Sequence, residues 1–207
     1  MTRVVLIRHG ETRQNRAGIM QGRMDVPLSD VGQRQAEALG RHLGSKYRLD
    51  RLYSSQLLRA QMTAKAIQRH QDCELVICPE LREIDVGRWQ GLSYRQAREQ
   101  FPDEWAALET DPWNMQRPAG ESYREVSQRV LAWLTETVER AADRQQTVAI
   151  VTHGMPVRAI LAHALGACPV AIGLALTVDN TGVSLLEYSH EKERWQVRTV
   201  NCTCHLE

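Results

Sequence analysis

Val4-Val5-Leu6-Ile7-Arg8-His9-Gly10-Glu11-Thr12 is the stretch that decides the fold. Its first four residues are β-branched or aliphatic without interruption, the pattern of a strand buried on both faces. Arg8 ends the apolar run, so the charged and polar residues that follow fall at the strand's carboxyl end. In open α/β sheets that edge is where ligands bind. A histidine there, between a permanent cation and a glycine, is placed to meet an anion.

Working outward, similar strand patterns occur at Arg51-Leu52-Tyr53-Ser54, from Glu74 to Cys78, from Thr147 to Thr152, from Val183 to Tyr188 and from Trp195 to Val200. Helical patterns lie between them. Ser29 can N-cap a helix carrying Val31, Ala36, Leu39 and Leu43 at helical spacing. Gln56 to His70 reads as a second helix. Ser122-x-x-Glu125 is a capping box opening a long helix with Val126, Val130, Trp133, Leu134 and Val138 on one face. Pro156 sits in the first turn of another, running to about Leu165, where a missing amide costs little. Strands alternating with helices predict an α/β fold, a three-layer α/β/α sandwich on a mostly parallel sheet of about six strands. The short polar stretch Ser189 to Arg194 predicts an antiparallel hairpin at one end of that sheet. No repeat, low-complexity tract or linker divides the chain, so residues 1–207 are expected to form one domain.

Composition narrows the function. The 207 residues suffice for a full-sized core, and 43% apolar with 25% charged residues is ordinary for a globular protein. Lys and Arg number 26 against 25 Asp and Glu, a net charge of +1. That balance argues against a nucleic-acid or anionic-membrane partner. A small anionic ligand is still served by a few local cations. No apolar run approaches a signal-peptide core or a membrane span. Five scattered cysteines read as reduced thiols and a cytoplasmic location. Cys202-Thr203-Cys204-His205 lacks a second ligand pair at a familiar spacing, so an ordered tail is expected and no metal or other cofactor.

Chemistry concentrates at the junctions after strands. A neutral imidazole at His9 is a good nucleophile toward phosphorus when its other ring nitrogen is held by an acceptor. Arg8 offers forked N–H donors to phosphoryl oxygens, and Gly10 permits close backbone approach. Thr152-His153-Gly154 repeats the His-Gly theme after a second buried strand. Either histidine alone would most often be structural; the pair points to one shared pocket. Arg59 sits in the first turns of the second helix, a place that attracts anions, although a helical arginine is usually only solvated. Among the carboxylates, Glu83 could protonate a leaving alkoxide and later activate water. Asp85 is its rival on sequence, and a surface ion pair is the bland role for both. Residues 88–124 hold Trp89, Trp105, Trp113, Phe101 and three prolines, with a capping pattern at Ser93-x-x-Gln96. Such an insertion can be a lid that excludes water or simply a packing unit.

These residues taken in order resemble the histidine phosphatase superfamily, on its phosphoglycerate-mutase-like branch, over essentially the whole chain. Arg8-His9-Gly10-Glu11-Thr12 matches its signature. Asn15, Gln21-Gly22 and Asp25-x-Pro27-Leu28-Ser29-x-x-Gly32 match the following segment. Arg59 stands before Thr63-Ala64, Glu83 before Gly87-x-Trp89-x-Gly91, and Gly120-Glu121-Ser122 and Thr152-His153-Gly154 complete the order. The resemblance implies that His9 becomes phosphorylated and that Arg8, Arg59, His153 and Asn15 hold the phosphoryl oxygens. It makes Glu83 the acid and then the base, and adds Gln21, Gly22 and Gly154 to the substrate-binding set. It implies a metal-independent phosphatase acting on a small phosphorylated metabolite; a homodimer is one assembly open to such a chain. Gly87-Arg88-Trp89-Gln90-Gly91 is closer to the phosphatases than to the longer mutases. The ending Asn201-x-Thr203-Cys204-His205-Leu206 is closest to the phosphoserine group. Val86, beside the acid, puts an apolar side chain where a polar substrate group would be read, so phosphoglycerate, α-ribazole phosphate and sugar phosphates stay beside phosphoserine as substrates. A mutase, or a phosphate-binding module without catalysis, are the competing functions; the second would lack a nucleophile, arginine or acid, and none is lacking.

Overall fold

The opening run becomes β1 (Thr2–Arg8), in which Val4, Val5, Leu6 and Ile7 are all fully buried. The computed structural model describes residues 1–141 and 145–207. Both edges of β1 are paired: β4 (Thr147–Thr152) lies parallel on one side and β5 (Val183–Ser189) antiparallel on the other. With β2 (Arg51–Ser54), β3 (Glu74–Ile77) and β6 (Arg194–Cys202) they form one six-stranded sheet in the order β3-β2-β4-β1-β5-β6. β2 runs parallel to both β3 and β4, so β5 alone runs against the others. The expected hairpin is β5–β6, closed between Ser189 and Arg194 at the sheet's end.

Alternation along β1 sorts the core into two layers. Val5 and Ile7, with Ala149 and Val151 of β4, pack under α2 (Asp30–Lys46) and α3 (Leu58–Gln68) through Leu39, Leu43, Ala60, Ala64 and Ile67. Val4 and Leu6, with Val148 and Ile150, pack under α6 (Tyr123–Leu134) and α7 (Gly154–Leu165) through Val126, Val130, Leu134, Val157, Ile160 and Leu161. Each buried aliphatic side chain contributes about 1.5–3 kcal/mol, which holds the sheet between its helices and fixes where each strand ends. The remaining helices are α1 (Arg13–Arg16), α4 (Tyr94–Gln100), α5 (Pro102–Thr110) and α8 (Pro169–Ala175). Among the described residues no helix is long and apolar enough to cross a membrane.

The caps form as their sequences direct. Ser29 accepts the Gly32 amide, and Ser93 and Ser122 form reciprocal boxes with Gln96 and Glu125. Strand ends shift by one or two residues, and three helix boundaries differ from the sequence pattern. α3 starts at Leu58 rather than Gln56, because the Ser55 hydroxyl takes the Leu57 amide and keeps that residue extended. It ends at Gln68 rather than His70. The long helix stops at Leu134 and passes into a π turn over Thr135–Glu139. The wider turn keeps Val138 buried while Glu139 accepts from Trp195 Nε1 at 2.7 Å and meets His163 Nε2 at 2.8 Å. Trp133, expected in the core, is only half-buried and stands edge-on to Tyr53.

Candidate active site

Register places the two histidines side by side. Arg8 is paired with Thr152 across β1 and β4, so His9 and His153 each follow directly after a paired position. The His9 amide bonds the Thr152 carbonyl at 2.9 Å, and the ring centroids lie 5.0 Å apart. β2 ends on the other side of β4, and there Ser55 places its hydroxyl 2.8 Å from His153 Nε2. Three neighbouring strands thus deliver His9, His153 and Ser55 to one point.

The His9 ring is 2% exposed. Nδ1 lies 2.7 Å from the Gly10 carbonyl, which can only accept, so Nδ1 carries the hydrogen and Nε2 keeps its lone pair. Nε2 accepts from Arg59 Nε at 3.2 Å. Burial, then the charges of Arg59 and Arg8, hold the His9 pKa well below its usual value, against the Gly10 bond. At neutral pH the ring is therefore an uncharged base with its free nitrogen turned toward guanidinium. Close packing makes that carbonyl geometry possible: a Cβ at residue 10 would meet the Gly32 carbonyl oxygen at 2.7 Å. The start of α2 is docked there by Ser29, whose amide and hydroxyl both bond Glu11.

His153 is fully buried and also held neutral, first by burial and then by Arg59, His9 and Arg8. Among the described residues the Ser55 hydroxyl meets one donor, the Leu57 amide, and only His153 Nε2 can take its hydrogen, so that hydrogen goes to Nε2. The ring hydrogen is then on Nδ1, for which no acceptor lies within reach among the described residues. An unmet buried donor of this kind costs about 1–3 kcal/mol, and an anion beside it removes the cost.

Arg59, 1% exposed on the first turn of α3, bonds the Met24 and Gly22 carbonyls at 2.7 and 2.8 Å. Burial lowers its pKa to about 10, so it keeps its charge. Arg8 leaves β1 half-buried; one guanidinium nitrogen bonds the Val178 carbonyl, and Nε has no partner among the described residues. Glu83 Oε1 accepts the amides of Ile84 at 2.9 Å and Met155 at 3.2 Å. Asp85 is engaged elsewhere, with Arg23 at 3.0 Å and the Gly87 amide at 2.9 Å. Geometry thus separates the two carboxylates: Glu83 lines the cavity and Asp85 does not.

That cavity, about 290 Å³, is lined by Arg8, His9, Arg59, Glu83, Asn15, Gln21, Gly22 and Gly154. Its size, at the lower limit of sites for drug-like ligands, suits a metabolite. His153, 5.0 Å from His9 ring to ring, is not on the cavity wall. Asn15 Oδ1 is occupied by Thr12 and Asn180, which leaves its NH₂ end for a ligand. Gln21 is buried, its Oε1 held by Thr12. Among the described residues no group of three His, Cys, Asp or Glu is placed to hold a metal ion.

Sequence reasoning missed several members of this site. Ser55 carried a signal, since it follows β2 at the same sheet edge. Arg158, four residues after Gly154 on α7, shares its helix face. Tyr94, Trp105, Leu108 and Arg117 come from the insertion, whose contacts no local pattern reveals.

The comparisons decide the family. Residues 4–203 match the model of the histidine phosphatase superfamily, branch 1. The chain belongs to that superfamily. As a histidine phosphatase it resembles "Phosphoserine phosphatase 1" of Hydrogenobacter thermophilus, 32% identical over all of this chain and 95% of the relative. "Metal-independent phosphoserine phosphatase" of Arabidopsis thaliana is 36% identical over 77% of this chain and 67% of its own length. The crystal structure of the alpha-ribazole phosphatase from Shigella flexneri superposes with a TM-score of 0.83, at 28% identity over 97% of this chain and 96% of that one. This histidine phosphatase is an enzyme that hydrolyses phosphomonoesters, and its six-stranded α/β fold matches the solved phosphatase structure.

Proposed function

We propose that His9 is the nucleophile and Glu83 the acid–base of this phosphatase, acting on a small phosphomonoester. The observation that carries the reading is the fixed tautomer of His9: Nδ1–H is committed to the Gly10 carbonyl, and Nε2 points its lone pair toward Arg59. A phosphoryl oxygen is a far better partner than Nε2 for the Arg59 guanidinium. Arriving substrate takes over that donor and frees the nitrogen to attack.

In the first step the Nε2 lone pair forms the N–P bond as the P–O bond to the alcohol breaks, and Glu83 gives its proton to the leaving oxygen. In the second, Glu83, now a carboxylate, takes a proton from water as that water attacks phosphorus. The N–P electron pair returns to Nε2, phosphate leaves, and Glu83 is protonated again. Phosphoryl transfer depends mainly on positioning and on stabilising spread negative charge. Arg8, Arg59 and the amide of Asn15, all on the cavity wall, serve that role here, and His153, 5.0 Å from His9 ring to ring, supports them.

Residues 88–124 serve as the wall on the alcohol side. Trp89, Tyr94, Trp105, Leu108 and Arg117 supply that surface, and the segment packs into the same core as β1 and α6. Phosphoserine is the first ester to test, given the names of two relatives. All five cysteines are unpaired, which favours a reducing compartment. Hydrolysis of p-nitrophenyl phosphate in EDTA, with capture of an acid-labile, base-stable phosphoprotein, tests the reading. Equal slow release by wild type and His9→Ala would overturn it.

A further inference from the structure

Glu83 must hold its carboxyl over the cavity, yet no ladder fixes the chain around it. Residues 82–86 lie between the tight helical turns Pro79–Leu81 and Gly87–Trp89 and belong to neither helix nor strand. Backbone groups there need partners from elsewhere. The Leu81 carbonyl accepts from the Thr152 hydroxyl at 2.6 Å, one residue before His153. Arg129 of α6 gives one guanidinium nitrogen to the Glu80 carbonyl and another to that of Glu83, the latter at 3.1 Å. The Asp85 carbonyl takes the Glu121 amide at 2.8 Å.

One carboxylate ties these contacts together. Among the described residues Glu121 receives Arg129 Nε and Nη2, each at 3.1 Å, Arg23 Nη2 at 2.6 Å and the Asp85 amide at 3.0 Å. The two bonds from Arg129 form a fork, which fixes the orientation of the guanidinium that grips the Glu83 carbonyl. Both side chains of that pair are 14% exposed, so water competes little. Burial opposes the charge of Glu121, but the bonds from Arg129 and the Asp85 amide outweigh it and hold its pKa below the usual value. Backbone contact removes the remaining slack. A Cβ at Gly120 would overlap the Asp85 carbonyl oxygen, and one at Gly87, where φ is +52°, would overlap that of Pro118. Neither Glu121 nor Arg129 lines the cavity.

We propose that Glu121, acting through Arg129 and the Asp85 amide, is a positioning residue that sets where the Glu83 carboxyl stands. The proposal goes beyond the function above and rests on Glu83 being the acid. The far end of Glu83 is tied to the Met155 amide at 3.2 Å. A shift of its backbone therefore moves the carboxyl or breaks that bond. Displacing a reacting group by about 1 Å can cost on the order of 10²-fold in rate.

Benzyl phosphate and p-nitrophenyl phosphate make the test, since both carry one aromatic ring but only the first has a leaving group that needs a proton. Glu121→Gln is expected to lower kcat on the benzyl ester by about 10–100-fold and on the nitrophenyl ester by less than about threefold. Arg129→Lys keeps the charge but loses the fork and should give the same pattern; Arg23→Gln should give a smaller one. Arg82→Gln controls for charge alone, because Arg82 reaches Glu121 only at 4.0 Å. That variant should change the ratio of the two rates by less than about twofold. In a Glu83→Gln background, Glu121→Gln should add less than about threefold, having no acid left to place. An ion pair that only stabilised the fold would lower the melting temperature without sorting the esters. Equal losses on both esters, or the full loss repeated in the Glu83→Gln background, overturn the positioning role. If Glu121→Gln does not fold, Arg129→Lys and Arg23→Gln decide, and an unmoved ratio in both overturns it. Equal losses for Glu83→Gln itself would instead remove the acid, and the positioning role with it.

Discussion

The proposed phosphoryl cradle and the insertion wall meet at the same cavity but are built by different means. His9, His153, Ser55 and Arg59 are each 2% exposed or less, and the first three sit at the ends of hydrogen-bonded strands. The wall is held by side chains: Trp105 tilts against Trp89 at 5.5 Å and meets Tyr94 edge-on at 6.2 Å, and Tyr94 is 64% exposed. Backbone register fixes atoms far more tightly than stacked, half-exposed rings. One half of the site is thus suited to a single chemical step, the other to being varied. Changes in the cradle should strike every ester alike, whereas changes in the wall should sort them.

The strongest way to break that division is His9→Ala, which is expected to lower kcat by about 10⁵-fold or more for all esters, as loss of a nucleophile does. Steady-state phosphate release on activated and unactivated esters checks it, and selective loss would contradict the division. Arg59→Ala should follow at about 10³-fold, again without regard to the alcohol. Glu83→Gln belongs to both halves. We expect a loss of about 10²–10⁴-fold on alkyl phosphates and much less on p-nitrophenyl phosphate, whose leaving group needs no proton. Equal losses on both would remove Glu83 from the acid role. Trp105→Ala should change the ranking of esters by less than about tenfold, mostly through KM. A uniform collapse of kcat in that variant would show that the wall shapes the chemical step after all.

The last expectation concerns the cradle's stability. His9 and His153 have folded-state pKa values pushed down, chiefly by burial, so the unfolded chain binds protons that the folded chain refuses. Their neutral burial carries no proton penalty above the unfolded value near 6.5, and stability is lost as pH falls below it toward the folded values. The slope is about 1.4 kcal/mol per pH unit for each histidine. Urea midpoints at pH 7 and pH 5.5 measure it, and His153→Asn should flatten the slope by roughly half.

Much of the cradle was legible because continuous apolar runs mark β1 and β4, and the residues after such runs fall at a predictable edge. His9 and His153 stand out by position alone, whereas Arg59 stands out only in their company. Ser55 was readable in principle, but a serine after a strand is too common to single out. Arg117 and Arg158 were not readable as lining residues, since sequence shows a charge without showing its neighbours. The π turn was hidden for a related reason. Helical spacing continues through Val138, whereas the turn depends on Trp195 and His163, far along the chain.

The contact between Arg59 and His9 has one further consequence, on the way out rather than the way in. Under the proposed mechanism, inorganic phosphate takes Arg59 away from His9 just as an ester does. A device that draws substrate down would then also delay the departure of what is left behind, and the cell's own phosphate would act as a natural brake on turnover.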